Sequence, residues 1–434
     1  MRWAKFIFPM GWIVAAVIYG MALTPYIGDA YDDGQYITLA RALALGKGYV
    51  QLAMPTNPPE PQYPPAWSLM LSNVWLVAPD FPANAIAFKM ISVFCALGLA
   101  WLVFGWLRWR GESELYASLV ALLTLFNPLI LGIATSAFSE IAYTCFSILA
   151  LWLVERYQRR ANTSWVDAIV PALATAWLVY LRTFGITLAL AGIIFLALQN
   201  KRRKAFIYAM LVGLFVAPWF VRGAFLPNTV WGYSQQFWLV SMEQPELGVI
   251  SLGGLLVRVV LNLRAYLLAG LPGALLPSLV PLTYVNLAEG VRVGTPFAVS
   301  DIVLAMIVAG ALIGQIFLRR SLSDWYVACY LGLALLWPWE PTRFSIPLIP
   351  LVYASVFSLG VQFAPMFKQS SLLARSMRWI VVGSMGLFIL ANLVMQMQYA
   401  WTIRQSPPSA EWQARFRLFD WLKQNTAPTS VLAA

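Results

Sequence analysis

The sequence predicts an all-α polytopic membrane protein with about eleven transmembrane helices. Three observations carry that reading. Hydrophobic residues make up 60% of the chain and charged residues 11%. Apolar runs of membrane-spanning length recur from end to end, and the basic residues between them fall on one side. A hydrocarbon core roughly 30 Å thick needs about 20 apolar residues per helical crossing. A soluble domain has no interior that could hide so many helices apolar all round.

The first run, 7–24, follows Arg2 and Lys5 and begins like a signal peptide. It is longer than the usual apolar region of such a peptide, and no small-residue cleavage site precedes Pro25. It is read as a retained first span with its basic end in the cytoplasm. Further spans fit 84–107, 115–134, 137–154, 165–181, 183–199, 205–221, 300–318, 324–339, 343–363 and 379–400. The turns at 108–114, 155–164, 200–204, 319–323 and 364–378 are then cytoplasmic. Of 29 basic and 18 acidic residues, sixteen and five fall on that side, which leaves thirteen of each outside. The whole net charge of +11 is cytoplasmic, as positive-inside insertion requires. The basic balance therefore describes insertion, and no nucleic-acid partner is implied.

Within a transmembrane domain of residues 1–400, two long segments lie outside, 25–83 and 223–299, and a short third follows at 401–434. In the first, Pro65–Val77 is apolar but too short to cross, so it reads as an interfacial or re-entrant helix. Counting it as a span would put Arg108 and Arg110 outside. In the second, Trp231, Tyr233, Phe237 and Trp238 cluster, and Leu256–Leu268 reads as an interfacial helix with Arg258, Asn262 and Arg264 on one side.

Chemistry is narrowed by what is missing. Histidine is absent, which removes the commonest general base and metal ligand. Cys95, Cys145 and Cys329 all fall in apolar spans, so no disulfide framework is implied. The first external loop gathers Asp29, Asp32 and Asp33 within five positions, followed by a helical pattern to about Gly46. Two readings stay open there: a base, metal or phosphate organiser, or a helix cap with solvated neighbours.

The order Asp32-Asp33-x-x-Tyr36, Ala40-Arg41, Gly46-x-Gly48-Tyr49 and Tyr63-Pro64-Pro65 resembles the first periplasmic loop of GT-C membrane glycosyltransferases. More narrowly it is similar to bacterial relatives of protein O-mannosyltransferases and of the transferase that adds aminoarabinose to lipid A. Ser139-Glu140, Leu181-Arg182, Pro218-Trp219-x-x-Arg222 and Arg343-Phe-x-x-Pro347 follow at the expected distances. Tyr63 stands where the lipid A enzymes have a basic residue. Relatives often continue into a periplasmic domain after a segment like Phe419-Asp420-Trp421-Leu422. Here the sequence ends at Ala434, either as a short member or as a piece of a longer chain.

The resemblance implies an enzyme of the bacterial inner membrane, with its active site outside. It would take a polyprenyl-phosphate-linked sugar as donor and a lipid, glycan or protein as acceptor. Asp32 is then the general base, with Asp33 or Glu140 orienting the acceptor. Asp32 and Glu140 are the pair that would hold a divalent cation, Mg or Mn for hard oxygen ligands without histidine. Arg182, Arg222, Arg264 and Arg343 are candidates for the donor phosphate, which a guanidinium fork suits. Tyr36 and Tyr63 belong to the loop that shapes the acceptor side. Two rival classes were weighed, a lipid-linked glycan polymerase or ligase and a polytopic transporter. The former has no need of the early Asp-Asp loop, and the latter places its charges near mid-membrane.

Overall fold

The computed structural model describes residues 4–28, 31–161, 164–226, 232–241, 244–275, 277, 299–339, 341–363, 372–406 and 408–427. Asp29 and Trp231, both singled out by the sequence, lie outside them. The described chain is helical throughout. Helix α1 covers Ala4–Met21, α2 Asp32–Ala44, α3 Pro65–Val77, α4 Ala85–Trp109, α5 Glu114–Leu125, α6 Pro128–Ala134 and α7 Glu140–Arg159. There follow α8 Ile169–Leu181, α9 Ile186–Leu198, α10 Arg202–Ala224, α11 Tyr233–Phe237 and α12 Leu252–Leu275. The last six are α13 Val299–Leu318, α14 Leu322–Leu336, α15 Pro341–Ser345, α16 Ile349–Phe363, α17 Leu372–Gln405 and α18 Ala410–Asn425. Each of the eleven expected spans is met by a helix or a helix pair.

The surface pattern is that of a protein solvated by lipid. On α1, Phe6, Met10, Ile13 and Val17 are exposed while Ala15, Ile18, Tyr19 and Ala22 are buried. Both sets keep helical spacing, so one face packs and the other is apolar and outward. The span expected at 115–134 is bent by 54° between α5 and α6. Pro128 supplies no N–H there, and the carbonyls freed by the break need donors. They find them: Tyr19 and Gln396 side chains donate to Leu125 O at 2.7 and 3.3 Å, and Gln396 also donates to Asn127 O at 3.1 Å.

The stretch read as an interfacial helix within 223–299 lies in α12, which by length and composition is also apolar enough to cross a membrane. Of the three polar residues expected on one side, Arg258 and Asn262 are buried at 7% and 1% exposure while Arg264 is exposed. Asn262 donates to the carbonyls of Leu335 and Trp337 at 2.9 and 2.8 Å, and Arg258 to that of Phe237 at 2.8 Å. Leu252, Leu256, Val257, Val260 and Leu263 are exposed.

The first external loop folds into α2 and α3, which pack on each other. Helix α3 has the limits expected of the short apolar stretch, with Pro65 at its first position as helix starts favour. Trp67 Nε1 donates to Ala137 O at 2.8 Å and Trp75 Nε1 to Ile37 O at 3.0 Å, which fastens α3 to the bundle and to α2. The C-terminal helix α18 returns to the same side: Trp412 stacks on Tyr26 at 4.9 Å.

Candidate active site

The site forms where the first loop meets the outer ends of α7, α8 and α15. Helix α2 begins at Asp32, after Tyr31 in a left-handed backbone conformation, φ 58°. Asp33 is buried, and backbone N–H groups hold both its oxygens, Gly28 N at 2.9 Å and Gly34 N at 3.0 Å. It pins the loop to the start of the helix and leaves Asp32 facing a cavity.

Asp32 has two partners. Tyr63 Oη donates to its Oδ1 at 2.7 Å, and Arg343 Nη1 lies 2.9 Å from its Oδ2. Tyr63 is fixed from behind by Glu60, a buried residue that accepts from Tyr63 N at 3.0 Å, Gln62 N at 2.6 Å and Gln51 Nε2 at 2.6 Å. Burial, then the charge of Asp32, raises the Tyr63 hydroxyl far above the usual tyrosine range, so it stays a donor. Tyr36 is buried with its ring edge-on to Tyr63 at 5.0 Å, and its hydroxyl shares a 3.1 Å hydrogen bond with Ser139 Oγ.

Glu140, fully buried, opens α7 one residue after Ser139. Its Oε1 takes Arg343 Nη2 at 2.6 Å, Arg343 Nε at 2.8 Å and Arg182 Nη1 at 2.8 Å, while Oε2 has no hydrogen-bond partner. Arg343 therefore bridges Asp32 and Glu140. Arg182 stands in extended conformation after α8, ahead of a one-turn helix ending at Gly185. A Cβ on Gly185 would lie 2.4 Å from Leu178 C, so only glycine allows the turn to close against α8. Both guanidiniums stay protonated, and Glu140 beside both, with Asp32 beside Arg343, offsets the cost of burying their charge.

The cavity has a volume of about 400 Å³, and its walls include Asp32, Tyr63, Arg182, Tyr233, Arg343 and Phe344. It adjoins a second, of about 520 Å³, whose walls include the aromatic residues Trp219, Phe220, Phe237 and Trp337. Gln62 and Tyr233 line both. Tyr233, Gln62 and Glu60 were not picked out by the sequence as functional. The aromatic cluster around Tyr233 was its only signal.

Of the four arginines expected at a phosphate, two line the cavity. Arg222 instead ties α10 to the loop backbone, donating to Glu60 O at 2.8 Å and Tyr49 O at 3.2 Å. Arg264 is exposed on α12 and lines neither cavity. Arg182, which has no acid near it in sequence, is paired with Glu140.

Asp32 and Glu140, the pair expected to share a divalent cation, are bridged by the guanidinium of Arg343. Among the described residues no group of three or more His, Cys, Asp or Glu side chains comes together.

No protein-family model and no curated protein matches the sequence. Solved structures do. The archaeal oligosaccharyltransferase AglB from Archaeoglobus fulgidus, in complex with an inhibitory peptide and a dolichol-phosphate, matches with a TM-score of 0.55 at 12% identity. That match covers 99% of this chain and 59% of AglB, so the chain spans less than two thirds of that relative. ArnT from Cupriavidus metallidurans, bound to undecaprenyl phosphate, matches with a TM-score of 0.57 at 12% identity, over 98% of this chain and 81% of ArnT. Likeness at such identity is one of architecture: the chain is an all-helical membrane protein built on the GT-C fold.

Proposed function

We propose that the protein is a glycosyltransferase that moves a sugar from a polyprenyl-phosphate donor to a lipid, glycan or protein acceptor at the outer membrane surface. The observation that carries this reading is a carboxylate, Asp32, sharing one cavity wall with two charged guanidiniums, Arg182 and Arg343. Its setting is a fold whose solved members bind dolichol-phosphate and undecaprenyl phosphate.

In the proposed reaction the acceptor hydroxyl or amine gives its proton to Asp32 as its oxygen or nitrogen attacks the sugar C1. The C1–O bond to phosphate breaks, and its electron pair leaves with the polyprenyl phosphate. Attack opposite the leaving group inverts the anomeric centre. The phosphate gains one negative charge, which Arg182 and Arg343 are placed to meet with fixed donors rather than with water. The aromatic cavity beside Trp219 and Trp337 offers apolar walls to the first units of the lipid carrier. Asp33 and Glu140 hold Asp32 and Arg343 in place. No step needs a metal, so chelation with EDTA is expected to leave the rate unchanged.

The test is to incubate purified protein with a panel of undecaprenyl-phosphate-linked pentoses and hexoses, each with lipid, oligosaccharide and peptide acceptors. One donor should be consumed, giving undecaprenyl phosphate and a glycosylated product of inverted configuration. If no donor in the panel is consumed, or if the anomeric centre is retained, the proposal fails.

A further inference from the structure

A second polar cavity lies at the opposite end of the bundle, on the face that charge assigns to the cytoplasm. It has a volume of about 440 Å³ and opens between the inner ends of α4, α7 and α9 and the α13–α14 turn. Its charged walls are Arg110, Glu112, Glu155, Arg159, Arg319 and Arg320. Both acids are engaged. Glu155 is buried, and its two oxygens are held by Arg110 and by Trp106 Nε1, the latter at 3.1 Å. Arg110 also reaches Ser323 Oγ of α14 at 3.1 Å, and Glu112 accepts from Arg319 at 3.3 Å.

Arg159 and Arg320 remain on the cavity wall with no carboxylate at ion-pair distance among the described residues. Arg159 is held flat over Trp109, its guanidinium carbon 3.9 Å from the ring centroid. Arg320 stands in the left-handed region, φ 49°, where the chain leaves α13. Glycine or asparagine is the usual choice at such a helix end, and a longer side chain is accommodated there at a cost. Positive-inside insertion asks only for basic residues on this face; it does not ask that two of them wall a cavity whose acids are already neutralised.

We propose that this cavity binds the phosphate group of an anionic lipid headgroup from the cytoplasmic leaflet, with Arg159 and Arg320 as its ligands. Arg110 and Arg319, tied to Glu155 and Glu112, shape the wall behind them. Basic pockets between helices at this depth suit such headgroups, and a guanidinium pair matches the phosphate oxygens. The same chemistry would accept a soluble phosphate ester. Occupancy would brace the inner end of α7 against the α13–α14 turn.

The experiment uses the full chain in nanodiscs of phosphatidylcholine with or without phosphatidylglycerol, read by native mass spectrometry and by Tm. Wild type should retain phosphatidylglycerol and gain Tm from it. R159Q/R320Q should retain it roughly tenfold less, the effect of losing charge-assisted bonds. The control R156Q/R203Q removes as much charge from exposed positions of the same face outside the cavity, and should behave as wild type. Glycerol 3-phosphate added to phosphatidylcholine discs separates the sources. A Tm rise in wild type that R159Q/R320Q lacks gives the same site a soluble occupant. Equal loss in both double variants, or no retention and no Tm rise with either probe, would overturn the proposal.

Discussion

Helix α7 carries a buried glutamate at each end, Glu140 at the one that the charge pattern assigns to the outside and Glu155 at the one it assigns to the inside, fifteen residues apart and so separated by about 22 Å. Arginine holds both, yet the two ends are built differently. At the inner end Glu155 has both oxygens satisfied, and the surplus charge nearby is positive and faces open space. At the outer end two acids meet two arginines, Glu140 Oε2 is left buried and unpartnered, and Arg343 is shared with a second acid on a cavity wall. A buried polar atom without a partner asks for an explanation, and a reacting site supplies one. The inner end has the character of a fixed receptor, whereas the outer end has groups whose partners can exchange when a substrate arrives.

The largest effect should come from Asp32→Asn. Loss of a general base costs about 10²–10⁴ in rate, with membrane insertion and Tm unchanged because Asp32 is part-exposed at the cavity wall. A rate within threefold of wild type would erase the chemical distinction between the two ends. Next is the pair Glu140→Gln and Glu155→Gln. Removing one partner of a buried ion pair typically destabilises by 3–5 kcal/mol, so both variants should lose Tm. Only Glu140→Gln should also lose transfer, by about a hundredfold, since it frees the arginines aimed at the phosphate. Equal activities in the two variants would break the comparison. Third, Arg343→Ala should raise the KM for the lipid donor by roughly 10–100-fold, the range of a charge-assisted contact. Arg343→Lys should not restore it, because one ammonium cannot span Asp32 and Glu140 as the guanidinium does.

Much of the fold was legible because its cause is solvation. Apolar run length and the side on which basic residues fall depend on the bilayer, not on which helix touches which. At α12 the pattern showed polar residues on an apolar helix but not their partners, the carbonyls of Phe237, Leu335 and Trp337 that Arg258 and Asn262 reach. In the site, Asp32, Glu140, Arg182 and Arg343 were visible as residues but not as a set. Glu140 meets Arg343 across 203 positions, a pairing that no local spacing encodes. Asp32 and Asp33 are adjacent in sequence, and spacing does not show that Gly28 and Gly34 N–H groups hold Asp33 while Asp32 lines the cavity. Arg222 looked like Arg182 from its place at an outer helix end, but loop carbonyls absorb its donors. Tyr233 comes from an external segment with no periodic signal, and the cavity it lines exists only once the chain has folded.

The smallest effect sharpens the outer end most finely. The Tyr63 hydroxyl donates to Asp32 Oδ1 at 2.7 Å while Glu60 fixes its backbone from behind. A neutral donor there orients the carboxylate without adding a second positive charge beside Arg343. Tyr63→Phe keeps the ring against Tyr36 and removes only that bond, so kcat should fall by about tenfold or less while the donor KM stays put. If the hydroxyl acts solely through Asp32, the two substitutions are not additive: Tyr63→Phe should cost nothing further in an Asp32→Asn background. Additive losses would mean that Tyr63 touches substrate directly. The acceptor would then be read by a phenol.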